Sequence, residues 1–450
     1  MRLIIIGGVA AGTSAASKAR RNNDKAEIVL YEKGPDISYS GCDTPYFIGG
    51  LIKDIKNLTP RDVSFFKKRY NVDVKIRYEV EKIDLETRSL SIRDLETDRT
   101  FTDHYDKLII ATGAKSVIPP IPGVDQDHVF SLRTIQDALK IDSFIKQNKP
   151  QTAAIIGSGS IGMEMAENLS RIGLDVHVIE MVPRINPALD PDMSVHLEQY
   201  LNDHGVKTYK NTQAAKIESS YVLTAEGEKI PGDIVIMATG VRPEVSLAKD
   251  AGIGLGATGA IAVDERMQTS DPHIYACGDC VEHYDLIRQK AAWFPLGSTA
   301  NKTGRICGDA VTGGSLTFRG VLGTGIFRVF DLSVARTGLG EDQARQAGYD
   351  VQVVHIKSPD KAASAGGRDI IIKALADRDT EKLLGVQIIG ENGVDKRIDV
   401  LVTAMTLGAK ISDLFHLDLA YSPSHATVKD PVHYVGMVLE NAIAKDKLNK

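Results

Sequence analysis

The sequence predicts an α/β protein made of two similar strand–helix–strand units, followed by a C-terminal α+β domain. Three observations carry this prediction. A glycine-rich turn between an apolar run and a helix-like stretch occurs twice, at 7–12 and 157–162. Each copy continues into a second apolar run that ends in a glutamate, and a β-rich segment after Gly323 ends in two helix-like stretches. Alternation of strand and helix patterns is typical of a parallel sheet.

The first unit begins with an apolar run at 3–6, followed by a Gly-Gly-Val-Ala-Ala-Gly turn that ends at Gly12. A second apolar run ends at Glu32, twenty residues after Gly12. In such a unit the glycines let the backbone approach a pyrophosphate, and the helix N-terminus supplies positive potential. The acid accepts hydrogen bonds from a ribose diol. The pattern predicts a Rossmann-like dinucleotide-binding domain, with a slightly different turn because Val9 replaces the middle glycine.

The second unit carries a complete Gly-Ser-Gly-Ser-Ile-Gly turn at 157–162, and Glu180 ends its next apolar run. A protein that holds two dinucleotides usually passes electrons between them, so one of the two is expected to be a flavin. Glu180 favours NADH because its charge would repel a 2′-phosphate. Arg184 lies near enough in the sequence to soften that preference, so NADPH use stays open.

Small-residue turns and prolines divide the rest of the chain. Ala-Thr-Gly turns follow buried strands at 111–113 and 238–240, and a proline-rich stretch at 119–123 is typical of a linker. The predicted division is a discontinuous first domain at 1–113 and 241–322, a second domain at 114–240 and a C-terminal domain at 323–450. Helices are predicted near 61–70, 299–311, 396–407 and 431–444.

Composition excludes several classes of protein. The chain has 450 residues, 43% of them hydrophobic, and a net charge of -5, which gives no basic field for nucleic acid or an anionic membrane. No apolar run approaches the ~20 residues of a membrane span. Four cysteines in so long a chain are not a disulfide framework and fit a reducing compartment. We expect a cytoplasmic protein.

The order of these motifs along essentially the whole chain resembles the flavin-dependent pyridine nucleotide–disulfide oxidoreductases. The segments 393–401, 417–423 and 429–432 resemble its single-cysteine branch, which contains coenzyme A disulfide reductases, NADH oxidases and peroxidases, and persulfide reductases. The resemblance implies FAD in the first unit, NADH or NADPH in the second, and a homodimer formed by the C-terminal domain. The cofactor-binding residues that it implies are Gly7, Gly8, Ala11, Gly12, Glu32, Lys33, Ser38, Val80, Ala111, Thr112, Gly113, Arg133, Gly157, Gly159, Ile161, Gly162, Glu180, Gly240, Gly278 and Asp279.

Cys42 stands where this family has its redox-active cysteine. Dithiol relatives have a second cysteine five residues later, where this chain has Phe47. A single cysteine must cycle through a mixed disulfide, a persulfide or a sulfenic acid. A position at the start of a helix is expected to lower the pKa of this thiol, whereas the neighbouring Asp43 is expected to raise it.

The remaining cysteines and histidines suggest structural roles. Cys277 and Cys280 form a C-x-x-C that could be a redox pair, but Asp279 lies inside it at the position where the family binds the ribityl chain of the flavin. We therefore interpret both as structural, and Cys307 as a packed apolar side chain. The C-terminal histidines lack metal-ligand spacing, so no metal site is expected.

Two further catalytic residues follow from the resemblance. Tyr421 is expected to reach the partner's Cys42 and protonate a leaving thiolate, although a packed interface tyrosine is the alternative. Glu164 is expected near the nicotinamide, with a solvated helix glutamate as its alternative. A second interface tyrosine of the coenzyme A disulfide reductases is missing near Ser364.

The predicted function is reduction of a small disulfide or persulfide by NADH through FAD and Cys42, with coenzyme A as the leading carrier. Lys18, Arg21 and the basic cluster at 67–69 could meet its phosphates, and a solvated charged face explains them equally well. The first alternative is an NADH oxidase or peroxidase, with oxygen as acceptor and Cys42 cycling through sulfenic acid. The second is a nucleotide-responsive flavin-binding protein without fast turnover.

Overall fold

The first nucleotide unit is a five-stranded parallel sheet in a computed structural model that describes residues 1–448. Its strands other than Asp73–Ile76 are largely buried on both faces, which explains their apolar sequences. In spatial order they are Ile274–Ala276, Lys107–Ile110, Arg2–Ile6, Glu27–Glu32 and Asp73–Ile76. The helices of this unit are Ala10–Asn22, Thr44–Ile48, Val63–Tyr70 and Gly297–Ala310, and an antiparallel sheet of Tyr78–Asp84, Ser89–Asp94 and Arg99–His104 extends it.

The second nucleotide unit repeats this architecture. Its parallel sheet has the order Lys207–Tyr209, Asp175–Ile179, Thr152–Ile156, Ile234–Met237 and Val129–Ser131. Its helices are Ile135–Asn148, Ser160–Arg171 and Pro191–Asp203, and its antiparallel sheet consists of Ala214–Ile217, Tyr221–Thr224 and Lys229–Pro231. Both units therefore have the strand–turn–helix–strand order that the glycine turns predict.

A two-stranded antiparallel ladder joins the two units. Ala114–Ser116 pairs with Val241–Pro243, so the chain enters and leaves the second unit side by side. The predicted domain limits at 113/114 and 240/241 fall on this ladder, and the domain division itself stays a prediction. After the ladder come the short helix Ser246–Asp250 and the hairpin His283–Asp285 and Lys290–Ala292.

The C-terminal part is an antiparallel sheet covered by helices. Its strands are ordered Gly325–Val329, Leu332–Gly338, Leu383–Gly390, Asp369–Asp377 and Val351–Pro359. Its helices are Glu341–Gln346, Val394–Leu407 and Pro431–Leu448. The α/β class with a C-terminal α+β domain is confirmed. The predicted long helices begin and end within a few residues of the observed ones.

The second unit packs tightly against its neighbours. One apolar core combines its sheet and helices with Phe47 and Ile48 of the first unit and Val334 of the C-terminal sheet. Lys373, 2% exposed, forms ion pairs of 2.9 to 3.0 Å with Asp190, Asp192 and Glu341, which ties the second unit to the C-terminal domain. Among residues 1–448, no helix is both long and apolar enough to cross a membrane.

Candidate active site

The first glycine turn brings several predicted cofactor residues together. Gly7 has φ of 101°, and a Cβ there would overlap the carbonyl oxygen of Ala111. A Cβ on Gly12 would overlap the Gly7 carbonyl, and a Cβ on Gly278 would lie 2.7 Å from that of Ala11. The turn needs glycine because three backbone segments meet here, which leaves main-chain N–H groups at the helix start open to a pyrophosphate.

Glu32 is fixed at the end of its strand by the turn itself. Its carboxylate accepts the Gly8 N–H at 2.7 Å and the Gly34 N–H at 2.6 Å. Burial raises the pKa of Glu32 above its ordinary value. Ser38, in a left-handed conformation with φ of 50°, donates its N–H to the Gly8 carbonyl at 2.8 Å. Because a carboxylate has about four acceptor positions, Glu32 retains two for a ribose diol.

Asp279 offers an unfilled acceptor in the same unit. Its Oδ2 pairs with Arg133 at 3.0 Å, whereas its buried Oδ1 has no hydrogen-bond partner within residues 1–448. A buried acceptor of this kind requires a donor that binds there. The hydroxyl groups of the FAD ribityl chain are such donors, so the residues present fit FAD. The indole N–H of Trp293 donates a hydrogen bond to the Asp279 carbonyl at 2.8 Å.

Other residues predicted for this site surround it. A Cβ on Gly113 would lie 3.7 Å from the Arg133 guanidinium, and the Thr112 hydroxyl donates to the Glu244 carbonyl at 2.6 Å. Val80 is half-buried against the core that contains strand Arg2–Ile6. Lys33, which is 68% exposed, instead pairs with Glu79 at 2.7 Å.

The second glycine turn has the same construction with one added hydroxyl. Gly157 has φ of 105°, and a Cβ there would overlap the Ala238 carbonyl, while one on Gly162 would overlap the Gly157 carbonyl. Ser158 donates both its N–H and its hydroxyl to Glu180, at 2.9 and 2.6 Å. Gly159 precedes the helix with φ of -65° and ψ of 179°, whereas Val9 has φ of -99° and ψ of -125°, so the expected difference between the turns is observed.

Two predicted residues of the second unit lie at its rim. Ile161 is 36% exposed in the first turn of helix Ser160–Arg171. Gly240 has φ of 95° and accepts the Val117 N–H at 2.9 Å, next to the ladder between the units. Both residues are exposed beside the second turn.

Cys42 lies in a short 3-10 turn rather than in an α-helix. The turn Gly41–Asp43 is followed by the five-residue helix Thr44–Ile48, which has Pro45 in its first turn and ends before Gly49. The side chain of Cys42 is exposed. Partial desolvation, followed by the charges of Glu164 and Asp43, raises its pKa, and Arg133 opposes this.

The expectation that a helix start lowers the pKa of Cys42 is therefore wrong, and the expectation for Asp43 is confirmed. The physical reason is that a single helical turn has little dipole, whereas two carboxylates lie close to the thiol.

Glu164 belongs to the surroundings of Cys42. It projects from helix Ser160–Arg171, and burial, followed by the charges of Glu167 and Asp43, raises its pKa to about 7. Burial, followed by the charges of Glu164 and Glu167, raises the pKa of Tyr46 to about 12. The second unit thus brings a carboxyl group that can hold a proton near neutral pH to the cysteine of the first.

Tyr421 lies on the surface, 53% exposed, in the segment before helix Pro431–Leu448. Within residues 1–448 of one chain, no hydrogen bond joins it to Cys42. The Ala362 N–H bonds to the Pro423 carbonyl at 3.1 Å, so the segment in which the second interface tyrosine is missing touches the Tyr421 segment. A role of Tyr421 at Cys42 therefore requires a second subunit.

The other three cysteines are buried in the first unit. Cys280 contacts the Cys277 carbonyl through its sulfur at 3.2 Å, and burial raises its pKa to about 12. The neighbouring Cys307 thiol and burial raise the pKa of Cys277. Buried thiols agree with the structural interpretation of all three.

A polar cavity of about 310 Å³ opens beside the first glycine turn. Its lining includes Thr13, Ser17, Arg21, Ser38, Arg61 and Arg305. Of the basic residues predicted to meet coenzyme A phosphates, Arg21 lines this cavity. Lys18 instead pairs with Asp309 at 2.9 Å.

Sequence reasoning missed Arg61 and Arg305. Arg305 follows Asn301 by four positions on helix Gly297–Ala310, a spacing that puts both on one face and could have revealed them. Arg61, in a loop, gave no such signal.

Two dinucleotide-binding turns and one exposed cysteine in the same chain define a flavin- and nicotinamide-dependent oxidoreductase. The family model described as pyridine nucleotide-disulphide oxidoreductase matches residues 1–293, and that of its dimerisation domain matches residues 326–431. The chain belongs to this family. Its cofactors are FAD and a nicotinamide dinucleotide, and its dimerisation domain supports a homodimer.

Similar proteins carry three different names. The NADH oxidase of Methanocaldococcus jannaschii is 37% identical over 99% of both chains. The coenzyme A disulfide reductase of Staphylococcus haemolyticus is 30% identical over 97% of this chain and 98% of its own. The solved NAD-dependent persulfide reductase from A. fulgidus is 39% identical, with a TM-score of 0.96 over 100% of this chain and 84% of that one.

Proposed function

We propose that this protein is a NAD(P)H-dependent flavoenzyme that reduces a small disulfide or persulfide at Cys42, with coenzyme A as the carrier. The observation that carries this proposal is the polar cavity of about 310 Å³ with Arg21, Arg61 and Arg305 in its wall. Arginine binds phosphate groups through paired, charge-assisted hydrogen bonds. Coenzyme A is a thiol with several phosphate groups, so its chemistry matches this wall.

The position of the cavity supports the same carrier. Ser38 and Tyr39 line it and lie only a few residues before Cys42 in the chain. A thiol whose phosphates occupy the cavity therefore has its sulfur end free to extend along this loop to the exposed cysteine. The names of the coenzyme A disulfide reductase and the persulfide reductase support sulfur chemistry as well.

The proposed reaction balances with one disulfide, one NADH and one proton, which give two thiols and NAD⁺. The Cys42 thiolate attacks one sulfur of the substrate, the S–S bond breaks, and the first thiol leaves with a proton while Cys42 holds the other half as a mixed disulfide. Two electrons and the proton of the NADH hydride then restore the Cys42 thiolate and release the second thiol. When bound, FAD supplies the relay of electrons between NADH and sulfur.

The residues around Cys42 supply proton chemistry. Glu164, with a pKa of about 7, can hold a proton at neutral pH beside the thiol. Tyr421 is the proposed donor from the other subunit of a homodimer, to the departing thiolate at the partner's Cys42. The predicted location of the reaction is the cytoplasm, where four free cysteines stay reduced.

The test is anaerobic NADH consumption by the FAD-loaded protein with coenzyme A disulfide, compared with hydroxyethyl disulfide, which lacks phosphates. We expect turnover with release of free thiol, and its loss in C42S with FAD retained. Replacement of Arg305 by glutamine should raise KM for coenzyme A disulfide about 10-fold to 100-fold, since a charge-assisted bond contributes about 1.5 to 3 kcal/mol. The KM for hydroxyethyl disulfide should not change.

The matched control is Arg99→Gln, which removes an exposed arginine of the first unit away from the cavity. Equal KM values for R305Q and R99Q would reject the carrier assignment. Turnover of a persulfide but not of a disulfide would identify a persulfide as the substrate. Fast NADH oxidation in air without any sulfur compound would instead support the NADH oxidase. Negligible turnover with every acceptor, alongside nucleotide-dependent dimer formation, would favour the flavin-binding protein.

A further inference from the structure

The carboxylate of Glu180 accepts more hydrogen bonds than that of Glu32, its counterpart in the first unit. Glu32 accepts two hydrogen bonds from residues 1–448, from Gly8 and Gly34. Glu180 accepts three, two from Ser158 and one from the Val182 N–H at 3.1 Å. Because a carboxylate has about four acceptor positions, Glu180 retains about one for a ligand. The additional bond comes from the Ser158 hydroxyl, for which Gly8 has no equivalent.

The Ser158 hydroxyl also connects Glu180 to the loop that follows it. It donates to Glu180 Oε2 at 2.6 Å and accepts the Asn186 N–H at 2.8 Å. All three groups are buried, with Ser158 at 0% exposure. The hydroxyl therefore stands between a carboxylate and a backbone donor that would otherwise attract each other directly.

We propose that Ser158 is a positioning residue that holds Glu180 toward the ribose 2′-hydroxyl and thereby sets the preference for NADH over NADPH. Without the hydroxyl, the Asn186 N–H loses its buried acceptor, and the nearest replacement is Glu180 Oε2. The carboxylate then turns into the vacated space and away from the ribose. This inference rests on the proposed binding of the nicotinamide coenzyme by the second unit.

Removal of the hydroxyl also changes the balance toward a 2′-phosphate. Arg184 lies in the same loop, donates to the Pro187 carbonyl at 3.3 Å, and has a buried Nε without a partner in residues 1–448. When Glu180 withdraws, the repulsion of a 2′-phosphate weakens, while the guanidinium of Arg184 remains. Affinity for NAD⁺ falls and affinity for NADP⁺ does not.

The effect is local because the loop is anchored independently at its far end. The Asp190 N–H donates to Gln387 at 2.9 Å, and the Asp190 carboxylate pairs with Lys373 at 3.0 Å. Ser194 provides a matched control, since its buried hydroxyl donates to the Ile185 carbonyl at 2.5 Å and supports the same loop without a contact to Glu180.

The experiment is calorimetric titration of the FAD-loaded protein with NAD⁺ and with NADP⁺, which needs no electron acceptor. A failure of coenzyme A disulfide reduction therefore leaves this test intact. In S158A we expect the ratio of the NADP⁺ Kd to the NAD⁺ Kd to fall about threefold to tenfold, mainly through weaker NAD⁺ binding. S194A should keep the ratio of the wild type.

A double-mutant cycle tests whether Ser158 acts through Glu180. In an E180Q background, S158A should leave the ratio unchanged within about twofold, because coupled residues are not additive. S158G provides a second variant without the hydroxyl if S158A loses FAD. It introduces glycine, which the first unit has at the equivalent position, Gly8. An unchanged ratio in the folded S158 variants, an equal change in S194A, or a wild-type ratio near one would overturn the proposal.

Discussion

Replacement of Glu164 by glutamine tests whether the carboxyl group beside Cys42 is kept neutral by the fold. Burial, followed by the charges of Glu167 and Asp43, raises the pKa of Glu164 from its usual 4.5 to about 7. At about 1.4 kcal/mol for each pH unit, ionisation of Glu164 in the folded protein costs at most about 3.5 kcal/mol. Since this side chain is partly accessible to water, we expect roughly 1 to 2 kcal/mol.

The sign of the pH dependence follows from the direction of the pKa change. Because the folded pKa lies above the unfolded one, the folded protein binds more protons between about pH 4.5 and pH 7, and its stability falls as the pH rises through that window. Glutamine does not ionise, so E164Q loses this dependence. For a chain of this length, we expect its Tm at pH 8 to exceed that of the wild type by about 1 to 2 °C.

The assay is thermal unfolding of FAD-loaded protein from pH 5 to pH 8.5, and the difference between E164Q and wild type should shrink toward pH 5. Glu226→Gln is the control because Glu226 is exposed in a turn of the second unit. An E164Q protein no more stable than wild type at pH 8, or a gain equal to that of E226Q, would refute the reasoning.

Two further predictions concern charges at other positions. Asp43→Asn should lower the pKa of Cys42 because it removes a neighbouring negative charge; the midpoint of iodoacetamide alkylation against pH should fall, and an unchanged midpoint would contradict this. Lys373→Met leaves three carboxylates without their shared cation and should cost about 2 to 4 kcal/mol, measured as a lower Tm. Lys357→Met breaks only an exposed ion pair of the same sheet and should have little effect, so equal losses would contradict the role of burial.

The two nucleotide units could be predicted from the sequence because their signals are local. An apolar run, a glycine turn and an acid lie within one strand–helix–strand unit, and the observed bonds from Gly8 to Glu32 and from Ser158 to Glu180 join residues inside it. The approximate helix limits follow from the same kind of local pattern. The hydrogen bonds of the Ser158 hydroxyl, to Glu180 and from Asn186, were not predictable, because a serine in this turn has no pattern that identifies its partners.

The surroundings of Cys42 could not be predicted for a different reason. Glu164 lies more than a hundred residues after Cys42, on a helix of the other unit. The pair between Arg133 and Asp279 likewise joins residues 146 positions apart. The sequence around Cys42 suggested a helix start that lowers the thiol pKa and an adjacent Asp43 that raises it, whereas packing of the two units adds Glu164, which raises it further. Only tertiary structure contains that information.

Glu164 offers a second candidate source for the proton of the proposed reaction. Reduction of a disulfide by NADH consumes one proton, and the family resemblance assigns its delivery to Tyr421 from the other subunit. Glu164 lies in the same subunit as Cys42 and is half-protonated near pH 7, so it can supply a proton at neutral pH. A carboxyl group with this pKa can both donate to a departing thiolate and be reprotonated at neutral pH. We therefore expect the helix that carries Glu164 to contribute to the proposed sulfur chemistry as well as to coenzyme binding.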